Sequence, residues 1–234
     1  MEYMLNEILF LLQILIVIGF GSFFSVRDGI LLGAWVSLLS IIMNIFVLKQ
    51  VILFGFEVTA ADVYVIGLFS CLNCAREFLG KEKTKKIIFV SWCNTLAFLL
   101  LTQLHLHLIP SSGDVSQKHY EALFAPSLRL VSASVITAMI VQFVDFKVFG
   151  WLKKRSQGRV FGLRSTFSVA LSQSIDTVIF SFLGLYGLVA NLLDVMLFSL
   201  LSKGVALLLA SPCVALAKVF YNKMKKEEPL FLRD

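Results

Sequence analysis

The sequence predicts an all-α fold: a polytopic membrane helix bundle. Three observations carry this. Apolar residues make up 58% of the 234 positions and charged residues only 15%, a balance foreign to soluble domains. The mean hydropathy is +0.86. Apolar stretches of about 20 residues, the length that crosses a bilayer, recur along the whole chain.

Seven such segments follow one another. The first, 8–26, comes after Glu2 and Glu7. It lacks the basic start and small-residue cleavage site of a signal peptide, so it reads as a membrane helix. The second covers 29–48, the third 63–79, the fourth 87–109 and the fifth 128–149. The sixth covers 167–188 and the seventh 195–221. Ser211-Pro212 in the seventh predicts a kink or local unwinding, tolerated where a neighbour or a cavity satisfies the freed carbonyl. The longest connection, around Pro110–Ser111–Ser112–Gly113–Asp114, is too short for a second domain. Residues 1–234 therefore read as a single transmembrane domain, with 223–234 as a polar tail.

The net charge of +6 sits in the connections. Lys81, Lys83, Lys85 and Lys86 follow the third segment. Lys153, Lys154, Arg155, Arg159 and Arg164 separate the fifth from the sixth, and Lys218, Lys223, Lys225 and Lys226 close the chain. The stretches 110–122 and 187–194 are poor in Lys and Arg. The positive-inside rule puts the basic connections and the C-terminus in the cytoplasm, and seven spans put the N-terminus outside. Charges placed this way form no nucleic-acid surface. The lipid bilayer is the expected surrounding.

The four cysteines lie in or near apolar segments. Cys71 and Cys74 have the C-x-x-C spacing of redox and zinc sites, yet no second pair or adjacent histidine accompanies them. They read as small residues in a membrane helix, and a redox or metal protein is the weakest alternative. His105 and His107 are two apart, so a helix would point them to different sides. No Walker motif is present, so the chain hydrolyses no nucleotide by itself. The reading includes no enzyme activity, no cofactor and no metal.

The most telling pattern is a repeated polar code. Ser134, Gln142, Asp145 and Phe149 recur 31 positions later as Ser165, Gln173, Asp176 and Phe180. A carboxylate inside a membrane helix costs on the order of 2.5–3.5 kcal/mol on insertion scales. Placing one twice, each with a glutamine three residues earlier, points to a polar site between two paired helices, and so to a transporter. On a helical projection, Ser165, Ser168, Ser172 and Asp176 form one stripe, expected to face the bundle interior. In the third segment Asp62, Ser70, Asn73 and Glu77 form another, with Asn73 and Glu77 neighbours at i and i+4. Lys203 lies deep in the seventh segment and is expected to meet a carboxylate, Asp176 or Asp145. Arg129 lies toward the outer end of the fifth segment.

Plainer readings stand beside these. Serines in membrane helices often only aid close packing, and Glu77 is near enough to the cytoplasmic end to be solvated beside Arg76. The substrate-binding set read from the sequence is Asn73, Glu77, Ser134, Gln142, Asp145, Ser168, Gln173 and Asp176. Arg129, Arg164 and Lys203 are candidates for ion pairing or gating. Asp145 and Asp176 are expected to face one cavity, at depths differing by roughly 6 Å at ~1.5 Å per residue. Carboxylates and carboxamides in a dry cavity suit a neutral or weakly cationic ligand with several N–H donors. A purine-like ring is permitted but not singled out.

Several runs carry a resemblance. They are Asn73-Cys-Ala-Arg-Glu77-Phe-Leu-Gly80-Lys81, Phe124-Ala-Pro-Ser-Leu-Arg129 with Ala133-Ser134, and Gln142-Phe-Val-Asp145. With them go Leu163-Arg164-Ser-Thr-Phe-Ser168 and Ser172-Gln173-Ser-Ile-Asp176-Thr177. Together they resemble the queuosine-precursor transporter family, also called the vitamin uptake transporter family, over about residues 62–221. Lys203 and Pro212 fall where that family tends to place a lysine and a proline. The resemblance implies a six-helix core similar to the substrate-binding subunits of vitamin importers, with residues 1–28 as an extra N-terminal helix. It also implies import of 7-deazaguanines across a bacterial cytoplasmic (inner) membrane for tRNA modification. Queuine, 7-cyano-7-deazaguanine and 7-aminomethyl-7-deazaguanine are the implied substrates. The alternative is a substrate-capture subunit that needs a separate energising complex.

Overall fold

The computed structural model describes residues 2–47, 49–53, 55–124, 128–156, 161–187 and 192–227. Among these residues eight α-helices and one hairpin follow in order: α1 (Glu2–Arg27), α2 (Gly29–Phe46), β1 (Gln50–Leu53), β2 (Phe56–Thr59), α3 (Asp62–Phe78) and α4 (Lys81–Leu106). Then come α5 (Gln117–Phe124), α6 (Leu128–Arg155), α7 (Phe161–Phe180) and α8 (Leu192–Glu227), with a π-helical turn at Ser181–Leu185 extending α7. All seven predicted segments are helices. Six of them, α1, α2, α4, α6, α7 and α8, are long and apolar enough to cross a membrane. The seventh, α3, has 17 residues, the short end of a spanning helix.

Position in the bundle explains the shortness of α3. Twelve of its residues are buried, and α1, α2, α4, α6, α7 and α8 all pack against it. The core gathers around it: Val17 from α1, Leu39 from α2, Leu68 and Leu72 from α3, and Ala210 from α8 are all buried. Lipid supplies no hydrophobic drive between helices, so close van der Waals contact does the holding. Two glycines permit it. A methyl group at Gly67 would run into Val17, and one at Gly21 into the Cys71 sulfur. The N-terminal helix is thus seated against the central helix. Outward faces carry Leu100, Leu104, Phe143 and Leu208, all exposed, as lipid contact requires.

Two small elements stand beyond the predicted helices. β1 and β2 pair antiparallel, with Val51 opposite Val58. Gly55 turns the hairpin at a φ of +82°, a conformation that favours glycine. The chain then re-enters the bundle with the Thr59 hydroxyl donating to the Val47 carbonyl at 2.9 Å. The short α5 lies across the loop after α4, where Gln103 Nε2 donates to the Phe124 carbonyl at 2.8 Å. One expectation changes. α8 is continuous through Pro212, and the irregular turn falls instead at the end of α7. The Ser211 hydroxyl bonds Thr166 of α7 at 2.7 Å, which ties α8 down beside its proline.

Candidate functional site

A cavity of about 700 Å³ lies inside the bundle, lined from α2, α3, α4, α6, α7 and α8. At one end it reaches the hairpin at Gly55 and Thr59 and the α5 residues Leu123 and Phe124. The size suits a small molecule. Phe69, Phe98, Phe124, Phe180 and Phe198 supply aromatic walls. The α6 face contributes Ser134, Thr137, Ala138 and Gln142, an i, i+3, i+4, i+8 stripe on one side of a helix.

The charged groups lining it among the described residues are Asp62, Asp176 and Lys203. Lys203 Nζ donates to Asp176 Oδ2 at 2.7 Å and to Thr177 Oγ1 at 3.2 Å. The lysine side chain is 7% exposed and the aspartate 18%. Asp62 adds a second carboxylate to the field around the ammonium. A lysine at this depth needs such partners, because a bare ammonium in the membrane interior is costly. Gln142 is 2% exposed, and its Oε1 accepts from Trp92 Nε1 at 2.7 Å. Ser134 donates to Asn44 Oδ1 at 3.1 Å.

Toward the other end of the bundle the polar groups engage one another. Asp145, 2% exposed, accepts from Ser168 at 2.6 Å and from Ser172 at 3.1 Å. Asn73 donates to Ser165 at 3.3 Å. Glu77 collects three cations from three helices: Lys218 at 2.5 Å, Lys153 at 3.0 Å and Arg164 at 3.2 Å. Its side chain is 6% exposed, so the hub joins α3, α6, α7 and α8 in a setting that screens charge poorly. Arg76 turns away from Glu77. Its guanidinium stacks over Phe146 at 3.7 Å and donates to the Phe146 carbonyl.

Residues 59–217 match the family model described as "Putative vitamin uptake transporter". The chain belongs to the vitamin uptake transporter family. It is also 28% identical, over 181 residues, to the "Probable queuosine precursor transporter" of Bacillus subtilis (strain 168), across 76% of each chain. No solved structure gives a significant match. The matched span runs from the end of the hairpin almost to the Glu77 partner Lys218. It therefore holds all of the cavity lining except Met43, Asn44, Val47, Gln50 and Gly55. This member of the vitamin uptake transporter family is a multi-pass membrane protein of a transporter family.

Within this family member the predicted site residues divide. Ser134, Gln142 and Asp176 line the cavity, together with Lys203. Asn73, Glu77, Asp145, Ser168, Gln173 and Arg164 are not among its lining residues. Asp145 and Asp176 are expected to face one cavity; of the two, Asp176 is among the residues that line this one. α6 and α7 run antiparallel, and Asp145 faces the serine stripe of α7 while Asp176 lies one to two turns farther along. The Gln/Asp repeat is crossed: Gln142 of one copy shares the cavity with Asp176 of the other. Gln173 is 3% exposed, with neither amide atom hydrogen-bonded among the described residues. The side chain of Arg129 lies outside the described residues. Cys71 and Cys74 are buried free thiols in the core around α3, away from the cavity lining. Sequence reasoning missed Asn44, Thr137 and Trp92. Ser134, Thr137 and Ala138 at helical spacing with Gln142 carried a signal for Thr137. A tryptophan in an apolar helix carried none.

Proposed function

We propose that this chain imports queuosine precursors, bases of the 7-deazaguanine class, and binds them in the cavity between Gln142, Asp176 and Lys203. The observation that carries the reading is the donor and acceptor set of that cavity. Asp176 Oδ2 is taken by Lys203, which leaves Oδ1 for ligand N–H groups. Gln142 offers an amide donor, and the phenylalanine walls suit a flat ring. A guanine-like edge has N–H groups beside a carbonyl and needs this combination. The Bacillus subtilis relative, named as a queuosine precursor transporter, supports the same ligand class.

The proposed arrangement is one transmembrane unit with the N-terminus outside and the C-terminus in the cytoplasm. The hairpin and α5 then border the cavity on the outer side, and the Glu77 hub closes the inner side. A base entering from outside meets the cavity first. Import requires the inner contacts to part in turn.

Two measurements test this. The purified chain is titrated with queuine, 7-cyano-7-deazaguanine, 7-aminomethyl-7-deazaguanine and guanine, alongside Asp176→Asn and Asp145→Asn. Losing a charge-assisted hydrogen bond costs about 1.5–3 kcal/mol, so Asp176→Asn weakens binding by roughly 10- to 150-fold. Asp145→Asn keeps wild-type affinity. Failure of every base to bind sinks the ligand assignment, and loss of binding only in Asp145→Asn moves the ligand to the inner half. Uptake by the chain alone in liposomes supports a self-sufficient carrier; binding without uptake makes it a capture subunit.

A further inference from the structure

The Gln142 amide is not free to choose which way it points. The indole N–H of Trp92 can only donate, so the Gln142 atom 2.7 Å from it is the carbonyl Oε1. That places Nε2 on the other branch of the same planar group. No hydrogen bond within the protein engages Nε2 among the described residues, although the side chain lines the cavity. Gln142 is 2% exposed, so bulk water offers Nε2 little. A second buried group on the same helix face is also unused. Thr137 is 2% exposed, lines the cavity, and its hydroxyl has no hydrogen-bond partner among the described residues. Buried polar groups are normally satisfied; two open ones on one wall point to a polar ligand there.

We infer that Trp92 is a positioning residue for ligand specificity: by holding Gln142 Oε1 it presents Nε2 as a fixed donor, so the cavity selects a lactam edge over its 6-amino counterpart. This rests on the reading that a purine-like base binds here. A lactam places a carbonyl next to a ring N–H. Gln142 Nε2 donates to the carbonyl, and Asp176 Oδ1 accepts from N–H groups. In the 6-amino counterpart an amino group stands where the carbonyl was, so two donors face each other and neither is satisfied. Sites built around a specific hydrogen bond reject such analogues strongly, because their own buried polar groups are left unpaired. The Thr137 hydroxyl can donate or accept, so it anchors a ligand without discriminating. The Trp92 and Gln142 pair also spans two helices, α4 and α6, so the chosen amide orientation is set by packing outside the cavity.

The experiment measures affinities of the full purified chain for 7-deazaguanine and for 2,6-diamino-7-deazapurine, which keeps the 2-amino group and replaces the lactam carbonyl. Wild type prefers the lactam by about 100-fold or more. Trp92→Phe keeps the ring and deletes the N–H. The amide can then turn, and the preference falls by about tenfold. Gln142→Leu lowers the preference to the part that Asp176 sets at the ring N–H, and adding Trp92→Phe to it changes the ratio no further, since the tryptophan acts through the glutamine. A tryptophan that merely packs would weaken both bases equally in both backgrounds, and that result overturns the inference. If Trp92→Phe fails to fold, Gln142→Glu decides. One glutamate oxygen accepts from Trp92 and the other offers an acceptor to the cavity, so lactam binding drops about 100-fold and the 6-amino base gains. A preserved lactam preference in Gln142→Glu also overturns it. Wild type that binds neither base overturns the ligand reading and this inference together. Wild type that binds the lactam with a ratio unmoved by these variants overturns the inference alone.

Discussion

Removing the Lys203 ammonium strands a carboxylate inside the bundle. The pair stands at 2.7 Å, with the two side chains 7% and 18% exposed. At an effective dielectric near 20, two unit charges at that separation attract by about 6 kcal/mol. Desolvation of both ions cancels much of this, and breaking a buried pair by deleting one partner typically costs about 3–5 kcal/mol. Asp176 keeps some contact with the cavity, so the lower figure applies: Lys203→Met is expected to cost about 3 kcal/mol. In a chain of this length that lowers the melting temperature by about 6–12 °C. The double variant Lys203→Met/Asp176→Leu removes both charges and recovers most of the loss, because an apolar pair of similar size is often neutral. Thermal unfolding of the purified chain in detergent, with no ligand, reads Lys203→Met, Asp176→Leu and the double variant. Additive losses in the double variant would show that the two groups do not depend on each other, and the argument from pairing would fail.

Two further outcomes follow from the inner half of the bundle. Glu77→Gln should destabilise the chain by about 3 kcal/mol, because three cations lose their shared partner. Glu82→Gln, whose pair with Lys85 is well exposed, should cost at most about 1 kcal/mol; equal melting shifts for the two would deny the hub any special strength. For orientation, single cysteines at Ser112 and Ser156 in a chain lacking Cys71, Cys74, Cys93 and Cys213 are exposed to a membrane-impermeant thiol reagent. Ser112 should label in intact cells and Ser156 only after lysis, and labelling of Ser156 in intact cells would reverse the topology.

The helices were legible because each rests on a property of its own residues. Length and hydropathy mark a spanning segment without reference to any neighbour. The interior stripe of α7 was legible for the same reason: Ser165, Ser168 and Ser172 share one face, and all three are buried. Lys203 was legible as a paired ion because an unpaired one is so costly. What periodicity cannot supply is the identity of the facing helix. It shows that Asp145 points inward but not that it meets serines instead of the cavity. It shows an acid at Glu77 but not that cations from three other helices converge on it, since Lys153, Arg164 and Lys218 are 76, 87 and 141 positions away. The hairpin was legible in principle, as Val51–Ile52 and Val58 flank a glycine turn. An apolar stretch between two spanning helices reads more readily as loop. Trp92 was invisible, because an aromatic in an apolar helix serves lipid, core and site alike.

The difference between the two polar levels lies in how fully their groups are used. Every polar atom inside a bilayer is costly unless it has a partner. In the half with Glu77, protein meets protein: two hydroxyls on Asp145, a serine for Asn73 and three cations on one carboxylate. These are contacts that close a structure. Around the cavity, bonding stops short. Among the described residues Asp176 gives one oxygen to Lys203, Gln142 gives only its carbonyl to Trp92, and the Thr137 hydroxyl has no partner. Gln173 and Ser91 depart from this division, being buried away from the cavity lining with no side-chain hydrogen bond among the described residues. For the rest, an open acceptor on α7 and open donors on α6 facing the same space are what a bound ligand would complete. In the proposed transport cycle the two levels then have opposite requirements. The cavity must lose little when it is empty, so its charges are already paired with each other. The inner contacts must be strong enough to hold and few enough to part together, which one shared carboxylate achieves better than several separate pairs.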